Sequence, residues 1–485
     1  MAMKSVFKVM MRKFCHMILL VLTAMSIAMT GCISDEVSTS PGDVLAFSSD
    51  TLKFDTVITS QGTATKQFII YNRAKKMINI SSIKVAAKSD AKFFLNVDGV
   101  KGDEFHDVAI RGEDSVYVFV ECYIDPTNAD EPVAVDDRID FVTNGVQQSV
   151  ALTAWAQDVE RIVGDTIRGD ARMAGVKPYL IYDTLVVAEG ATLTIDPGVK
   201  LLFHDKAALK VDGTLKANGS VDKNIEMRGD RLDHVVGKIG YDIMSAQWGG
   251  VIFGENSFGN ELNYVNMRGS TDGVTVTSSN PERCSLTVFN SVLHNAKNTV
   301  FASHNAWVEA LGTEFSDAGK NVVKLEGGKV RFAQCTMANY YLFAAIDGAI
   351  ADFAVQDSVG AYAPLDCKLD NCVLYGNCAD VNMGDLTGTS IYLRNCLLKS
   401  NGSDDSNFLN CKWGGDPKFY TVREDYIFDY RLKNGSDAIA VGDRQLCPEK
   451  ARYDRYGKDR FAADGIDLGA YVWVEADEDA EGGAK

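Results

Sequence analysis

Between Cys284 and Asn401 the apolar positions recur in a short pattern whose register slips by one residue partway through. The copies read Leu286-Thr-Val-Phe-Asn-Ser291-Val-Leu293, Val308-Glu-Ala-Leu-Gly-Thr313-Glu-Phe315, Val330-Arg-Phe-Ala-Gln-Cys335-Thr-Met337, Cys367-Lys-Leu-Asp-Asn-Cys372-Val-Leu374 and Ile391-Tyr-Leu-Arg-Asn-Cys396-Leu-Leu398. Their starts are 22, 22, 37 and 24 residues apart. In each, apolar residues alternate at period two, the phase slips at Asn290, Gly312, Gln334, Asn371 or Asn395, and a small residue and then a large apolar one follow. Period two is the signature of a half-buried strand, so each copy predicts two strands meeting at a sharp bend.

A unit this short cannot bury its own inward face, and stacking copies on one another is the remedy. The expected fold is all-β, with a right-handed parallel β-helix as its main body. Stacking puts Val288, Ala310, Phe332, Leu369 and Leu393 in one interior column, and Ser291, Thr313, Cys335, Cys372 and Cys396 in a second. Leu293, Phe315, Met337, Leu374 and Leu398 form a third. The bend column is rich in residues that tolerate left-handed backbone and can hydrogen-bond along a stack. A leucine-rich repeat has a similar length, but its LxxLxLxxN spacing is missing.

Upstream, residues 43–157 hold about seven short strand-like runs divided by polar turns, with Asn144-Gly145 the strongest hairpin signal. They predict an Ig-like β-sandwich without an internal disulfide, since Cys122 is alone there. We read this domain as a spacer. The β-helix is expected over 158–415, with a lateral loop between Arg228 and Gln247, followed by C-terminal coils and a cap over 416–474. Residues 475–485 read as an acidic disordered tail.

The N-terminus carries Lys4, Lys8, Arg12 and Lys13 before the uncharged apolar run Met17–Met29, too short to span a bilayer but suited to a cleaved leader over 1–31. Met29-Thr30-Gly31-Cys32 resembles the lipobox of bacterial lipoproteins, with Met29 in place of the usual Leu, which implies that Cys32 carries the lipid. Residues 32–42 would be an acidic tether, and its Ser34, Asp35 and Glu36 resemble the surface-export signal of lipoproteins in Sus-type glycan uptake. Gly190-Ala-Thr-Leu-Thr-Ile-Asp-Pro-Gly-Val199 and Gln247-Trp-Gly-Gly250 resemble the opening coils of surface lipoproteins of that kind, in which an Ig-like spacer precedes a β-helix. Asp429-Tyr-Arg-Leu-Lys-Asn-Gly-Ser436, Asp454-Arg-Tyr-Gly457 and Asp467-Leu-Gly-Ala-Tyr471 resemble the ending of many bacterial β-helix proteins. The resemblance implies an outer-membrane, lipid-anchored, cell-surface protein whose partners are the membrane through that lipid, a glycan, and an uptake complex.

Composition narrows the chemistry. The 485 residues carry a formal charge of −17, which argues against nucleic acid as a partner. Of 11 cysteines, nine remain after Cys15 and Cys32 are set aside. Those in the repeat read as buried thiols, with a disulfide between neighbouring coils left open. Cys367, Cys372 and Cys378 lack CxxC spacing and a nearby His, so neither a metal nor another cofactor is expected. Outward positions before the bend, including Arg331 and Lys368, mix charges without pairing carboxylates on adjacent coils, and no catalytic residue is legible.

The 37-residue interval after Met337 is longer than a coil and holds Tyr340, Tyr341 and Tyr362, whose rings suit stacking on a sugar. Equally, Phe343 and Ile346 would continue the core while the tyrosines pave a surface. The leading functional expectation is non-catalytic binding of a glycan or another macromolecule at the cell surface. A β-helix polysaccharide lyase or glycoside hydrolase is one alternative, and a structural or adhesive surface protein is another. Cys32→Ala should release the protein from the membrane fraction, whereas replacing Asp35 and Glu36 with Ala should keep it there and abolish protease access on whole cells. Membrane retention of the Cys32 variant rules out the anchor.

Overall fold

The structure is a computed structural model that describes residues 36–236, 239–355, 363–385 and 387–475. Those residues form strands joined by turns, with helix confined to four 3-10 turns. The chain divides into two compact units, the first built mainly from residues up to Ala154 and the second mainly from Trp155 onward.

The first unit holds a five-stranded and a six-stranded sheet, with antiparallel pairing throughout the registers recorded. Alternation decides what each strand buries. Along Ser115–Tyr123, Val116, Val118, Val120 and Cys122 are buried, while Tyr117 and Glu121 between them are exposed. Phe68 and Phe141, one from each sheet, meet edge to face at 6.2 Å. Asn144 (φ 50°) and Gly145 (φ 78°) are both left-handed, as a tight two-residue hairpin turn requires, and they join Val133–Thr143 to Val146–Gln157. Cys122 is a free thiol, pushed up to about 12 by burial.

The second unit holds two large parallel sheets of 11 and 17 strands. The chain passes between them repeatedly. Cys284–Phe289 lies in the larger sheet and Val292–Ala296 in the smaller, Phe301–Leu311 returns to the larger, and Glu314–Ala318 joins the smaller. Backbone pairing follows the repeat. Val288 pairs with Ala310, Ala310 with Phe332, Phe332 with Leu369 and Leu369 with Leu393. The column runs further than the repeat suggested, through Met173, Ile195, Ala217 and Leu262 at one end and to Phe408 at the other. Each of these residues is buried.

In the second column Ser291 Oγ donates to Leu262 O at 3.0 Å, and Cys335, Cys372 and Cys396 donate their thiols to Ala310 O, Phe332 O and Leu369 O at 3.4, 3.8 and 3.3 Å. Each small side chain thereby serves a carbonyl of the winding beneath. All described cysteines are free, so the stack is not cross-linked there.

The bend column is left-handed throughout, with φ of 46° at Asn290, 59° at Gly312, 55° at Gln334, 52° at Asn371 and 51° at Asn395. Its amides do not form the ladder along the stack that the sequence suggested. They reach sideways to residues 441–467. Asn371 exchanges two hydrogen bonds with the backbone of Asp443, at 2.8 and 2.9 Å, and Gln334 Nε2 donates to Asp467 O at 2.8 Å. The left-handed backbone tips each amide out of the column, toward free backbone groups on the C-terminal segment.

That segment packs along the flank of the stack. Phe419, Tyr430, Leu432, Ala438, Leu468, Ala470 and Tyr471 cluster with Ala338, Val373 and Leu397 on the outward face of the smaller sheet. The long interval after Met337 is also explained by register. Glu326 pairs with Ala354 and Gly328 with Leu365, so two paired positions that are separated by Gly327 alone in the preceding winding have ten residues of sequence between them here.

Leu369 is wholly buried, and Lys368, one residue away, faces outward and is half-exposed. Leu369→Ala should cost about 2 to 5 kcal/mol and Lys368→Ala under about 0.5 kcal/mol, read from urea denaturation midpoints. Equal shifts are incompatible with this register.

Candidate functional site

The smaller sheet presents two outward columns next to each other, fixed by the same pairing that builds the core. One is Asn266, Val292, Glu314; the other is Arg268, His294, Ser316. Where the C-terminal segment draws alongside, all of these but Ser316 floor a cleft of about 480 Å³. One wall is Asp242 and Ile243, from the 3-10 turn Tyr241–Ile243 in the lateral loop expected between Arg228 and Gln247. The other wall is Tyr426–Arg431, with Arg455, Tyr456 and Tyr471.

Local chemistry sets each wall residue. Asp454, wholly buried, accepts backbone N–H from Tyr456 and Lys458 on one oxygen and from Val472 on the other, at 2.8, 2.9 and 3.0 Å. This turn holds Arg455 and Tyr456 at the cleft. Arg460, also buried, donates to the carbonyls of Ala451, Gly469 and Ala470 and fastens the same turn to the residues preceding Tyr471. Arg431 grips Asp429 through Nε at 2.9 Å and Nη2 at 2.5 Å, and Arg268 Nη1 lies 2.9 Å from Asp242 Oδ2. Tyr456 stacks on Tyr471 at 5.9 Å. Tyr456 and Tyr426 remain 52% and 46% exposed, so both offer ring surface at the rim.

Beneath the cleft sits a buried titratable cluster. Glu314 receives hydrogen bonds from Ser316 Oγ at 2.6 Å and from the Tyr471 hydroxyl. Burial still raises its pKa above the usual carboxylate range. Asp317 accepts from Tyr430 O–H at 2.6 Å and Tyr340 N–H at 2.7 Å, yet burial pushes it up to about 7. His294, whose Nδ1 lies 3.0 Å from Ser316 Oγ and 3.3 Å from Asp317 Oδ2, is pushed down to about 3 by burial and is neutral near pH 7. A buried charge without a partner is expensive, so burial shifts each of the three groups toward its uncharged form.

The residues singled out from the sequence fall elsewhere or only partly here. Tyr341 is 8% exposed and its hydroxyl meets Ser245 Oγ at 2.7 Å, so its ring is packed and offers no open face. Tyr340 is half-buried, stacked on Tyr430 at 6.2 Å, and enters the cluster through its backbone N–H. Tyr362, Cys32, Ser34 and Asp35 lie outside the described residues. Glu36 is exposed and pairs with Lys76 at 2.7 Å. Arg331 and Lys368 are neighbours in register and line a smaller hollow with Trp307 and Glu309. Among the described residues no set of three or more His, Cys, Asp or Glu is grouped to hold a metal, and no helix is long and apolar enough to cross a membrane.

Sequence reasoning missed the cleft although it had named the motifs that supply much of its wall. A signal was present in the outward column after the bend, Val292, Glu314, Thr336, Val373 and Leu397, which is too apolar for a solvent-facing strand. It marks a face that something covers.

No family model matches the chain, and no curated protein sequence matches it. Among solved structures, a family 123 glycoside hydrolase from Clostridium perfringens, described for glycolipid glycan hydrolysis, is 8% identical over 26% of this chain and 30% of its own, with a TM-score of 0.18. A protein of unknown function from Porphyromonas gingivalis W83 is 11% identical over 26% of this chain and 60% of its own, with a TM-score of 0.17. The chain thus spans under a third of the hydrolase and under two thirds of the second protein, and likenesses this slight carry no argument about fold or activity.

The cluster makes stability depend on pH. Asp317 holds a proton in the folded state up to about 7, whereas an unfolded aspartate releases it near about 3.9. Its contribution is therefore fully present below the unfolded value and is lost as pH rises through the folded one. Asp317→Asn cannot ionise, so from pH 5 to pH 8 the variant should gain on the wild type by roughly 2 to 3 kcal/mol in thermal or urea unfolding. A constant difference between the two proteins at both pH values contradicts the assignment.

Proposed function

We propose that the protein is a lipid-anchored protein of the outer-membrane surface that binds a saccharide, without cleaving it, in the cleft between the smaller parallel sheet and the C-terminal segment. In this reading the second unit is a right-handed parallel β-helix, the first an Ig-like spacer, and Cys32 the anchor. The β-helix reading is supported by columns in register over ten windings and by strands that alternate between two parallel sheets. The Ig-like reading is supported by the antiparallel sheets joined through Phe68 and Phe141. Attachment and export rest on the lipobox-like residues and on Ser34, Asp35 and Glu36. The site shifts from the expected tyrosines of the long interval to the cleft because Tyr341 is packed.

One observation carries the functional reading: a cleft of about 480 Å³ sets the exposed rings of Tyr426 and Tyr456 beside planar donors and acceptors, Arg268, Arg431, Asp242 and Asp429. Sugars present apolar ring faces and a belt of hydroxyls, and this wall offers a partner for each. Binding is favoured over hydrolysis because Glu314, the carboxyl that burial keeps toward its protonated form, has both oxygens engaged by Ser316 and Tyr471. A general acid needs its proton within reach of the leaving oxygen.

The test is a glycan array followed by calorimetry. Tyr426→Ala and Tyr456→Ala should each weaken binding by about 3- to 10-fold, the scale of one ring contact, with melting unchanged for Tyr426→Ala, slightly lowered for Tyr456→Ala through the lost stack on Tyr471, and no new reducing ends in the mixture. Rim variants that bind as well as wild type refute the cleft, and released product refutes the non-catalytic reading.

A further inference from the structure

Arg455 is 6% exposed, lines the cleft, and has no carboxylate within 4.0 Å among the described residues. Its Nη2 donates to two neutral acceptors, Asn266 Oδ1 at 2.7 Å and Asn224 Oδ1 at 3.1 Å. The Tyr456 ring lies 5.7 Å from its guanidinium carbon. Nε and Nη1 make no hydrogen bond among the described residues. The other cations of the cleft are committed, Arg431 to Asp429 and Arg268 to Asp242. Glu314, which feels the Arg455 charge, is turned to Ser316 and Tyr471.

Buried arginines are ordinarily paired, because a guanidinium withdrawn from water without a counter-ion is strongly disfavoured. This one is held in place by the Asp454 turn and by two asparagines, with two donor nitrogens left over. A fixed, largely buried cation whose spare donors open onto a polar cavity is the arrangement that recognises an anion through charge-assisted hydrogen bonds.

We propose that the saccharide bound in the cleft is acidic, and that its carboxylate or sulfate group is received by Nε and Nη1 of Arg455. This deepens the saccharide reading and rests on it. The anion supplies the counter-charge that the protein withholds, so a neutral sugar of the same shape leaves Arg455 unpaired and binds less well.

The full chain is titrated calorimetrically with tetragalacturonate, a sulfated carrageenan tetrasaccharide and neutral cellotetraose, at low and at moderate salt. At least one charged sugar should bind tenfold or more tightly than cellotetraose, and which one does so names the anion. Raising the salt should weaken that sugar alone. Arg455→Gln retains a donor for Asn266 and should erase the charged sugar's advantage while leaving melting unchanged; Arg455→Lys, which keeps the charge, should retain part of it. If all three sugars bind alike, or Arg455→Gln weakens them equally, the acidic-ligand inference falls and the saccharide reading stands. If none binds at millimolar concentration, both fall.

Discussion

Backbone pairing between successive windings is the constraint on which everything else rests. Parallel pairing in register leaves no freedom in which side chains share a column: once Phe332 lies against Ala310 and Leu369, each neighbouring position is assigned to the interior or the exterior. The same bonds that bury Phe315 between Leu293 and Met337 set Glu314 beside Val292 and Ser316 beside His294 on the opposite face. Core and cleft floor are two consequences of one register.

The bend column extends this order sideways. Left-handed backbone at Asn290, Gln334 and Asn371 turns the chain between sheets, and the same residues carry amides that hold the C-terminal segment. That segment covers the apolar part of the smaller sheet's outward column and meets its polar part through hydrogen bonds, Tyr471 to Glu314 and Arg455 to Asn266. The cleft lies where the segment passes over Asn266, Val292 and Glu314.

The cleft also shows how titratable groups are tolerated in a packed flank. Glu314 and His294 are linked through Ser316, His294 also meets Asp317, and burial dominates every one of their shifts. Tyrosine hydroxyls and a backbone N–H satisfy the carboxyl oxygens, while burial shifts both carboxyls toward their protonated forms and His294 toward its neutral one. The cleft wall above keeps its charges in pairs, Arg431 with Asp429 and Arg268 with Asp242, and of its arginines the buried Arg455 stands without a carboxylate among the described residues.

The sequence by itself determined the repeating unit. Alternation at period two with a slip at Asn, Gln or Gly is a local property, and it located Val288, Phe332, Leu369 and their columns, the left-handed bends, and the stacking of strands in parallel sheets, because local backbone preference and inward burial both leave marks on neighbouring residues. Tertiary structure alone decided where residues 416–474 would lie, since docking onto a flank joins positions such as Asn266 and Arg455 that are far apart in the chain and share no periodicity. It likewise decided that Tyr341 is packed against Ser245 while Tyr456 is open. Exposure of a ring depends on what arrives from elsewhere in the chain, and a local pattern records only whether a residue faces in or out of its own strand.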